Sequence, residues 1–267
     1  MTRLDRRALF TSGAAAALLA ASGLSADARP RAGGVMRLAV PRDGSLARIA
    51  QGATFDQLTE IAPDGTLRGE LALSWTGSED ARRWSFRLRK DARFHDGTAL
   101  HARHVAEALG DLPSVRAVHV ESAQDLVFEL ETANVRLPLD LADPAHAIRR
   151  NGAGTGAYRI VRMDEARHLL ATRIEGHYKA GTAGWADRIE VIVIPDAAVR
   201  AEALRGGYVD LVYLPEAAGL IGQGEFLYHP NAENIAIAAR AGVGIPRQVG
   251  SRAPLDDGRI AERWWIA

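Results

Sequence analysis

Apolar and polar residues alternate in two stretches in the middle of the chain. Trp84, Phe86 and Leu88 are separated by polar residues, and a similar alternation returns at Leu126 and Phe128. Successive side chains of a strand point to opposite faces, so this pattern is typical of strands with one buried face. We therefore predict strands over 83–89 and 124–131.

A helical period lies between these two strands. Apolar residues fall at i, i+3, i+4 and i+7, which places them on one face of a helix. They are Ala102, Val105, Ala106 and Leu109. The turn His95-Asp96-Gly97 comes before this stretch, Thr98 is a suitable N-cap, and Gly110 is a suitable end. The sequence predicts a helix that begins after Thr98 and ends near Gly110.

The remaining apolar runs predict a mixed sheet. The predicted strands are 36–40, 157–161, 169–174, 189–194 and 210–214, of which the second and third form an antiparallel pair. The fourth run is almost wholly β-branched and apolar, as expected for a strand that is buried on both faces. A helix is predicted between Pro195 and Gly206, and the order strand, helix, strand suggests a βαβ unit. The fold class is therefore α/β.

The composition is that of a soluble globular protein, with 47% hydrophobic and 25% charged residues among 267. The 33 basic and 33 acidic side chains balance, so the charge does not indicate a nucleic-acid partner or an anionic membrane surface. The chain has no cysteine, which excludes disulfides and cysteine-ligated metal centres. We expect no cofactor and no metal site.

Residues 1–28 have the pattern of an export signal. Arg6 and Arg7 lie in a basic start, a short apolar run follows, and Ala26-Asp27-Ala28 is a small-x-small cleavage motif. The arginine pair resembles a twin-arginine signal, and an ordinary Sec signal with two adjacent arginines is the alternative. We predict cleavage after Ala28 and a periplasmic domain over 29–267. No later apolar run is long enough to span a membrane.

Two blocks of sequence carry a resemblance to a known family. The first contains ELALSW, WSFRLRKDARFHDGT and HVAEAL, and the second contains GTGAYRIV, GHYKAG and DRIEVIVIPDAAVRAEALRGGYVDLVYLP. In this order the blocks resemble the family 5 extracellular solute-binding proteins. These are periplasmic receptors that deliver peptides, nickel complexes and similar solutes to ABC importers. The blocks cover about half of the chain, which makes the match far more specific than a single motif.

The resemblance implies a hinge-closing receptor with the type II periplasmic-binding-protein-like fold, built on mixed α/β sheets. It also implies a large distal lobe that forms one jaw of the ligand cleft. Here that lobe would have to fit between Pro215 and the C-terminal segment, and only about a dozen residues separate Pro215 from Leu227. We therefore expect a family 5 protein that is reduced to its first lobe and part of its second.

The predicted ligand-contacting segment follows the first strand. Ligands of open α/β folds gather beyond the carboxyl ends of strands, and the resemblance implies a cleft-lining loop at this place. Asp43, Ser45 and Arg48 would bind a polar or zwitterionic solute through charge-assisted hydrogen bonds. A solvated surface loop is the alternative.

Two further motifs are assigned no ligand. His101 and His104 are spaced as weak metal ligands beside His95, but on the helix they flank the apolar face, which favours surface histidines. The glycine-alternating run 152–156 enters a strand rather than a helix, so we interpret it as a turn and not as a phosphate site.

Large aromatic residues are assigned to packing rather than to ligand contacts. They are Trp75, Trp84, Phe86, Phe94 and Tyr158. The pair Trp264-Trp265 either completes the first lobe or forms an exposed patch for a partner, and we favour the first interpretation.

The sequence predicts a non-catalytic receptor, since no Gly-x-Ser-x-Gly or His-Glu-x-x-His motif occurs. We expect a monomeric periplasmic solute-binding component of an ABC importer, with a peptide-like or other small solute and a permease as partners. The alternative is a receptor remnant that acts as a periplasmic interaction or accessory protein.

Overall fold

The structure is a computed structural model that describes residues 30–215, 220, 226–230, 236–245 and 258–266. The predicted export signal, including Arg6, Arg7 and Ala28, lies outside the described residues. Within the described part of the chain, no helix is long and apolar enough to cross a membrane.

Fifteen strands and five α-helices are described. The strands are β1 (Val35–Val40), β2 (Thr59–Ile61), β3 (Leu67–Gly69), β4 (Ala72–Gly77), β5 (Arg83–Leu88), β6 (Val115–Val120), β7 (Asp125–Leu130), β8 (Tyr158–Asp164), β9 (His168–Arg173), β10 (Arg188–Val193), β11 (Leu211–Leu214), β12 (Phe226–Pro230), β13 (Ala236–Arg240), β14 (Val243–Gly244) and β15 (Trp265–Ile266). The helices are α1 (Ser45–Thr54), α2 (Ala102–Leu109), α3 (Leu137–Asp140), α4 (Ala197–Arg205) and α5 (Ile260–Arg263), with a 3-10 turn at Pro144–His146.

A seven-stranded mixed sheet is the centre of the fold, with strand order β12-β13-β11-β1-β10-β9-β8. Strand β1 pairs in parallel with β10 on one side and with β11 on the other. The outer pairs are antiparallel, including β8 with β9 as predicted. The βαβ unit is confirmed as β10-α4-β11, with β1 lying between its two strands. The predicted α/β class is therefore confirmed.

Helices cover the two faces of this sheet. On one face Met36 and Leu38 of β1 pack in a core with Ile49 of α1 and Trp264 after α5. On the other face Ala39 packs in a second core with residues of α4 and β11. Alternate residues of β1 thus enter different cores, as the period of a strand requires.

A four-stranded antiparallel sheet, in the order β4-β5-β7-β6, has a separate hydrophobic core. Its core joins Phe86 of β5, Phe128 of β7 and Val105 of α2. The rings of Phe86 and Phe128 meet edge to face with centroids 5.5 Å apart, a favourable geometry for an aromatic pair. The predicted strands at 83–89 and 124–131 and their aromatic packing role are confirmed.

The predicted start of α2 is wrong. Residue Ala99 pairs with Arg93 in an isolated bridge, so the chain is still extended there, and His101 is the N-cap. The backbone N–H of Thr98 is bonded to Asp96 Oδ1 at 2.8 Å, within the turn. Thr98 therefore belongs to the turn and not to the helix.

The surface interpretation of the histidines is wrong for His104. Its side chain is buried and its ring meets the edge of Phe94 at 5.2 Å, and burial lowers its pKa. The three histidines do not converge: His95 Nε2 lies 2.9 Å from the Gly156 carbonyl oxygen, and the His101 ring stacks on His104 instead. Within the described part of the chain, these histidines do not belong to a group of three side chains close enough to hold a metal ion.

Strand β10 is less buried than predicted. Ile189 and Val191 are fully buried, whereas Glu190 and Ile192 on the other face are half-buried. The βαβ helix covers β1 and β11 on that face, so the outer part of the sheet stays partly open.

The tryptophan pair at the end of the chain is buried, and the exposed-patch interpretation is wrong. Trp264 joins the core of the large sheet, as favoured, while Trp265 lies in β15, which pairs with β14 rather than with that sheet. The run 152–156 is a turn, as predicted, and its glycines let it pack against α1. A Cβ on Gly156 would meet the backbone of Thr54, whose carbonyl oxygen accepts a 2.9 Å hydrogen bond from the Gly156 N–H.

We expect Phe128→Ala to lower the free energy of unfolding by about 3–5 kcal/mol, because it leaves a cavity beside Phe86. Val120→Ala in the neighbouring β6, where Val120 is 47% exposed, should stay within about 0.5 kcal/mol of the parent. Urea unfolding measures both. Equal losses in the two variants would contradict the assigned core.

Candidate functional site

The carboxyl ends of the three parallel strands meet at one edge of the large sheet. Strands β10, β1 and β11 are adjacent and parallel, so their last residues face the same way. Ligands of α/β folds gather at such an edge, where loops leave the strands. Of the predicted ligand residues, only Asp43 lies in the loop that leaves β1. Ser45 and Arg48 lie in the first turn of α1, so the prediction of a loop at these two positions is wrong.

Asp43, Ser45 and Arg48 are brought together at the start of α1. Asp43 Oδ1 accepts hydrogen bonds from the Ser45 N–H at 2.9 Å and from the Ser45 hydroxyl at 2.5 Å. Arg48 Nη2 donates to Ser45 Oγ at 3.1 Å. Ser45 is fully buried, whereas Asp43 and Arg48 are exposed. Ser45 thus holds a carboxylate and a guanidinium side by side at the edge of the sheet.

Arg200 of α4 is buried and donates hydrogen bonds to backbone carbonyl oxygens at the same edge of the sheet. Its Nε donates to the Tyr213 carbonyl oxygen at 2.7 Å, and its Nη1 donates to Ile194 and Pro195 carbonyl oxygens at 2.5 and 2.9 Å. Burial lowers the pKa of the guanidinium, and Asp43 and Asp196 oppose that shift. Arg200 therefore ties together the ends of β10 and β11 and places positive charge near Asp43. No local sequence pattern distinguishes this arginine from the other residues of α4, so its role is visible only in the fold.

A cavity of about 540 Å³ opens beside α1. Such a volume is within the range of small-ligand pockets. Its apolar lining consists of Ile61, Leu139, Ala142 and Pro144. Its polar lining consists of Arg136, Asp140, Asp143, His146 and Arg259.

A hydrogen bond joins this cavity to α1. Gln51, one turn after Arg48, donates from its side-chain amide to the Pro144 carbonyl oxygen at 2.5 Å. Asp143 caps the 3-10 turn by accepting from the Ala145 N–H at 2.8 Å. The edge at Asp43 and the cavity are therefore neighbouring parts of one surface, with α1 between them.

The imidazole of His146 is oriented by the chain. Its Nδ1 lies 2.7 Å from the Asp140 carbonyl oxygen, and a carbonyl oxygen can only accept, so Nδ1 carries the hydrogen. In the neutral ring this leaves Nε2 as an acceptor. The cavity thus combines guanidinium donors, carboxylate acceptors and one imidazole, groups that suit a small solute with both positive and negative charge.

Beneath the cavity lies a buried group of charges that we call the ion cluster. Its members are Asp56, Glu60, Glu70, Lys179, Arg259, Glu262 and Arg263. Their side chains are at most 9% exposed. Asp56 precedes β2, Glu60 lies in β2, and Glu70 follows β3. The other members lie in the β9–β10 connection, in α5 and at the residue before α5.

Lys179 lies at the centre of the carboxylates. Its Nζ is 3.3 Å from Asp56 Oδ1 and 2.5 Å from Glu262 Oε1, and it also pairs with Glu70. Oxygens of these three carboxylates lie within 4.8 Å of one another, a spacing that a metal ion could use. In this arrangement the ammonium of Lys179 is already the cation that they share.

Arg259 connects the ion cluster to the cavity. Its guanidinium lies 3.1 Å from Glu60 and 2.5 Å from Glu70, and it also donates to Gln57, while the same side chain lines the cavity. Arg263 adds a 3.2 Å contact to Glu60. These ion pairs hold α5 and the residue before it against Glu60 of β2 and Glu70 after β3.

The carboxylates of the cluster differ in pKa. Burial raises the pKa of Asp56, but Lys179 with its neighbours outweighs burial and lowers it to about 2. The pKa of Glu60 is also below its ordinary value, since Lys179 and the arginines outweigh burial. For Glu70 burial wins over Arg259 and Lys179 and raises the pKa to about 7.

Comparison with known proteins gives a family match over more than half of the chain. The family described as "Bacterial extracellular solute-binding proteins, family 5 Middle" matches residues 66–228. The nickel-binding periplasmic protein of Escherichia coli is 27% identical over 193 residues, which cover 62% of this chain and 36% of that protein. A second Escherichia coli protein, named probable D,D-dipeptide-binding periplasmic protein, is 27% identical over 248 residues and covers 79% and 47% of the two chains. The chain thus spans between a third and a half of the length of these relatives.

Solved structures of low sequence identity share the fold. The periplasmic binding protein AgaA of A. tumefaciens R10, in complex with agropinic acid, superposes with a TM-score of 0.67 at 23% identity, covering 74% of this chain and 48% of that one. NikZ of Campylobacter jejuni, in complex with Ni(L-His), gives a TM-score of 0.65 at 18% identity, with the same coverage. The predicted two-block resemblance and the predicted fold are confirmed.

We expect Lys179→Met to lower the free energy of unfolding by about 3–5 kcal/mol, because it leaves buried carboxylates without their shared cation. The chain has one other lysine, the exposed Lys90, and Lys90→Met is the matched control, expected to change stability by less than about 0.5 kcal/mol. Urea unfolding at neutral pH compares the two. If Lys179→Met lowers the free energy of unfolding by less than about 1 kcal/mol, the ion cluster does not stabilise the fold as described.

Proposed function

Because the chain belongs to family 5 of the bacterial extracellular solute-binding proteins, we propose that it captures a small solute in the periplasm for an ABC importer. The solute is peptide-like or similarly zwitterionic, the partner is the permease of the importer, and no reaction is catalysed. One observation carries this proposal: the charged start of α1 and the charged cavity adjoin through the bond between Gln51 and Pro144.

The start of α1 supplies a preformed pair of opposite charges. Asp43 suits an ammonium group of the solute and Arg48 suits a carboxylate, and Ser45 positions both by its hydroxyl. A pair that is already oriented loses little conformational freedom when the solute binds. We therefore propose Asp43 and Arg48 as solute contacts and Ser45 as the residue that positions them.

The cavity supplies the second half of the proposed site. Arg136 offers a further guanidinium, and Asp140 and Asp143 offer carboxylates, around an apolar floor that includes Leu139. Asp140 Oδ2 accepts from the Asn134 side-chain amide at 2.9 Å, and Asp143 Oδ1 accepts from the Ala145 N–H at 2.8 Å. Both carboxylates are thus held in place by the chain, and a carboxylate with one such bond retains further acceptor capacity for a solute.

The ligands of the relatives are consistent with this range of chemistry. Their names include nickel and a D,D-dipeptide, and the solved structures hold agropinic acid and Ni(L-His). For this chain we propose a solute of the same size and polarity.

We further propose that residues 1–28 are an export signal of the twin-arginine type, with Arg6 and Arg7 as its arginine pair and Ala28 as its last residue. The folded unit is then 29–267, and it acts as a monomer. Cleavage after Ala28 is checked by the mass of the periplasmic product.

We expect one or more compounds in a library of peptides, amino acids and metal chelates to raise the melting temperature of the protein. A ligand at a hundred times its Kd stabilises by about 2.7 kcal/mol. Arg48→Ala should weaken the affinity for that compound by about tenfold or more, since a charge-assisted hydrogen bond contributes about 1.5–3 kcal/mol.

Arg162→Ala is the matched control, because Arg162 is an exposed arginine on the outer strand β8. It should bind the compound like the parent. If no compound shifts the melting temperature while a periplasmic protein co-purifies at equal stoichiometry, the receptor proposal is wrong and the accessory-protein alternative is favoured.

A further inference from the structure

The first turn of α2 is closed by an imidazole. His104 is the third residue of the helix, and its Nδ1 accepts a hydrogen bond of 3.1 Å from the backbone N–H of the N-cap residue His101. The His104 N–H in turn donates to the His101 carbonyl oxygen at 2.9 Å. In a capping box the side chain at this position is usually a Glu or Gln, which accepts from the same N–H. Here the acceptor is a group that gains a proton near neutral pH.

Both neighbours of the ring nitrogens are hydrogen-bond donors. The His101 N–H faces Nδ1, and the guanidinium Nε of Arg103 lies 3.3 Å from Nε2. A neutral imidazole accepts through one nitrogen only, and an imidazolium accepts through neither. The backbone N–H is held by the fold, whereas Arg103 is exposed, so we assign the acceptor to Nδ1 and the ring hydrogen to Nε2. A proton on Nδ1 would replace the capping bond by two N–H groups that point at each other.

The ring is enclosed by other rings. His104 is 3% exposed, the edge of Phe94 meets it at 5.2 Å, and the His101 ring lies parallel to it at 5.7 Å. A buried group cannot recover a lost hydrogen bond from water while the turn stays closed. The N-terminus of a helix also carries partial positive charge, which disfavours a cation in the first turn.

The charged groups around His104 mostly oppose a proton on the ring. Burial is the largest influence and lowers the pKa of His104, and the charge of Arg103 lowers it further. Glu107 on the same helix acts in the opposite direction. Arg150, from the connection between the two sheets, adds to the lowering, although it is itself paired with Asp96 in the turn before α2.

The strands beneath α2 meet it through apolar groups and backbone. Strand β7 contributes Phe128 to the core that it shares with α2, so its acidic residues Asp125 and Glu129 lie on the other face. Glu129 is paired there with charged residues of β6. The β6–β7 turn offers the Ala123 carbonyl oxygen, which accepts from the Ala102 N–H at 2.8 Å.

We propose that His104 is an acid-sensitive cap: its neutral imidazole holds the first turn of α2 closed, and a proton on the ring opens that turn. In the open turn the ring has its ordinary pKa of 6.5, whereas in the closed turn the pKa is lower. The contribution of this group to closure is therefore complete above about pH 6.5 and is lost as the pH falls below that value. Ala102, next to the cap, is buried in one core with Phe86, so opening the turn exposes part of the core of the four-stranded sheet.

Amide hydrogen exchange of the full chain tests this cap, read by mass spectrometry on peptides that cover 99–109 and corrected for the intrinsic rate at each pH. In the parent, the opening equilibrium of these peptides should increase by about threefold to thirtyfold from about pH 7.5 to about pH 5, the range expected when a helix loses a capping bond. Peptides from β1 and β10 should change much less. This readout needs no solute, so it stands or fails apart from the proposed receptor function.

His104→Gln separates the capping bond from the titration. A Gln side chain at this position keeps an acceptor for the His101 N–H and takes up no proton, so this variant should lose most of the pH dependence. His119→Gln is the matched control at an exposed histidine of β6, and it should keep the parental dependence. Protection of 99–109 that is flat or increases toward acid in the parent, or acid opening that persists in His104→Gln, would overturn the cap.

The tautomer of His104 tests the proposal in the parent even where His104→Gln does not fold. Nitrogen NMR of the imidazole at about pH 7.5 should show the hydrogen on Nε2 and an unprotonated Nδ1, as an acceptor requires. A ring hydrogen on Nδ1 would exclude the capping bond and with it the proposal.

Discussion

The fold depends on the burial of opposite charges where the strands β2 and β3, the β9–β10 connection and the C-terminal helix α5 meet. Removing an ion from water costs several kcal/mol, and the cost is recovered only where each charge has close partners. Lys179, Arg259 and Glu70 meet this condition, since each contacts at least two other charged groups of the cluster. The three distant parts of the chain that carry these groups must therefore pack against one another before any of the buried charges is stabilised.

This joint also determines the geometry of the candidate site. The segment that begins with Asp56 follows directly after α1, and the residue before Arg259 lies against the backbone of Arg48. Gly154 and Gly156 bring the connection between the two sheets against the end of the same helix. Helix α1 is thus fixed along its length, and the charged groups at its start and beside its last turns keep a constant separation, as a preorganised binding surface requires.

Sequence reasoning succeeded where the signal was local. The alternation around Phe86 and the strand, helix, strand order of the βαβ unit could both be read from the spacing of apolar residues and from nearby proline and glycine residues. Helix α1 was missed, although Leu46, Ile49, Ala50 and Ala53 have helical spacing, because its start has a left-handed glycine instead of a side-chain cap. The N-cap of α2 was misplaced because a bridge between Arg93 and Ala99 extends the turn beyond Thr98.

The ion cluster could not have been predicted in this way. The contact between Arg263 and Glu60 joins residues that are 203 positions apart, and no local pattern distinguishes these charges from those on the surface. The cavity also joins distant parts of the chain, since Asp143 lines it from the middle of the sequence and Arg259 from near the C-terminus. Such sites follow from topology, which a single sequence reveals only through resemblance to a family.

The central claim is that a solute binds between the start of α1 and the segment around His146. Its most direct test is a hydrogen-exchange footprint of the full chain with and without a solute that raises the melting temperature. The account predicts slower exchange in peptides covering 43–51 and 136–146, with no change in β6. Slower exchange confined to other parts of the chain, with the solute demonstrably bound, would contradict it.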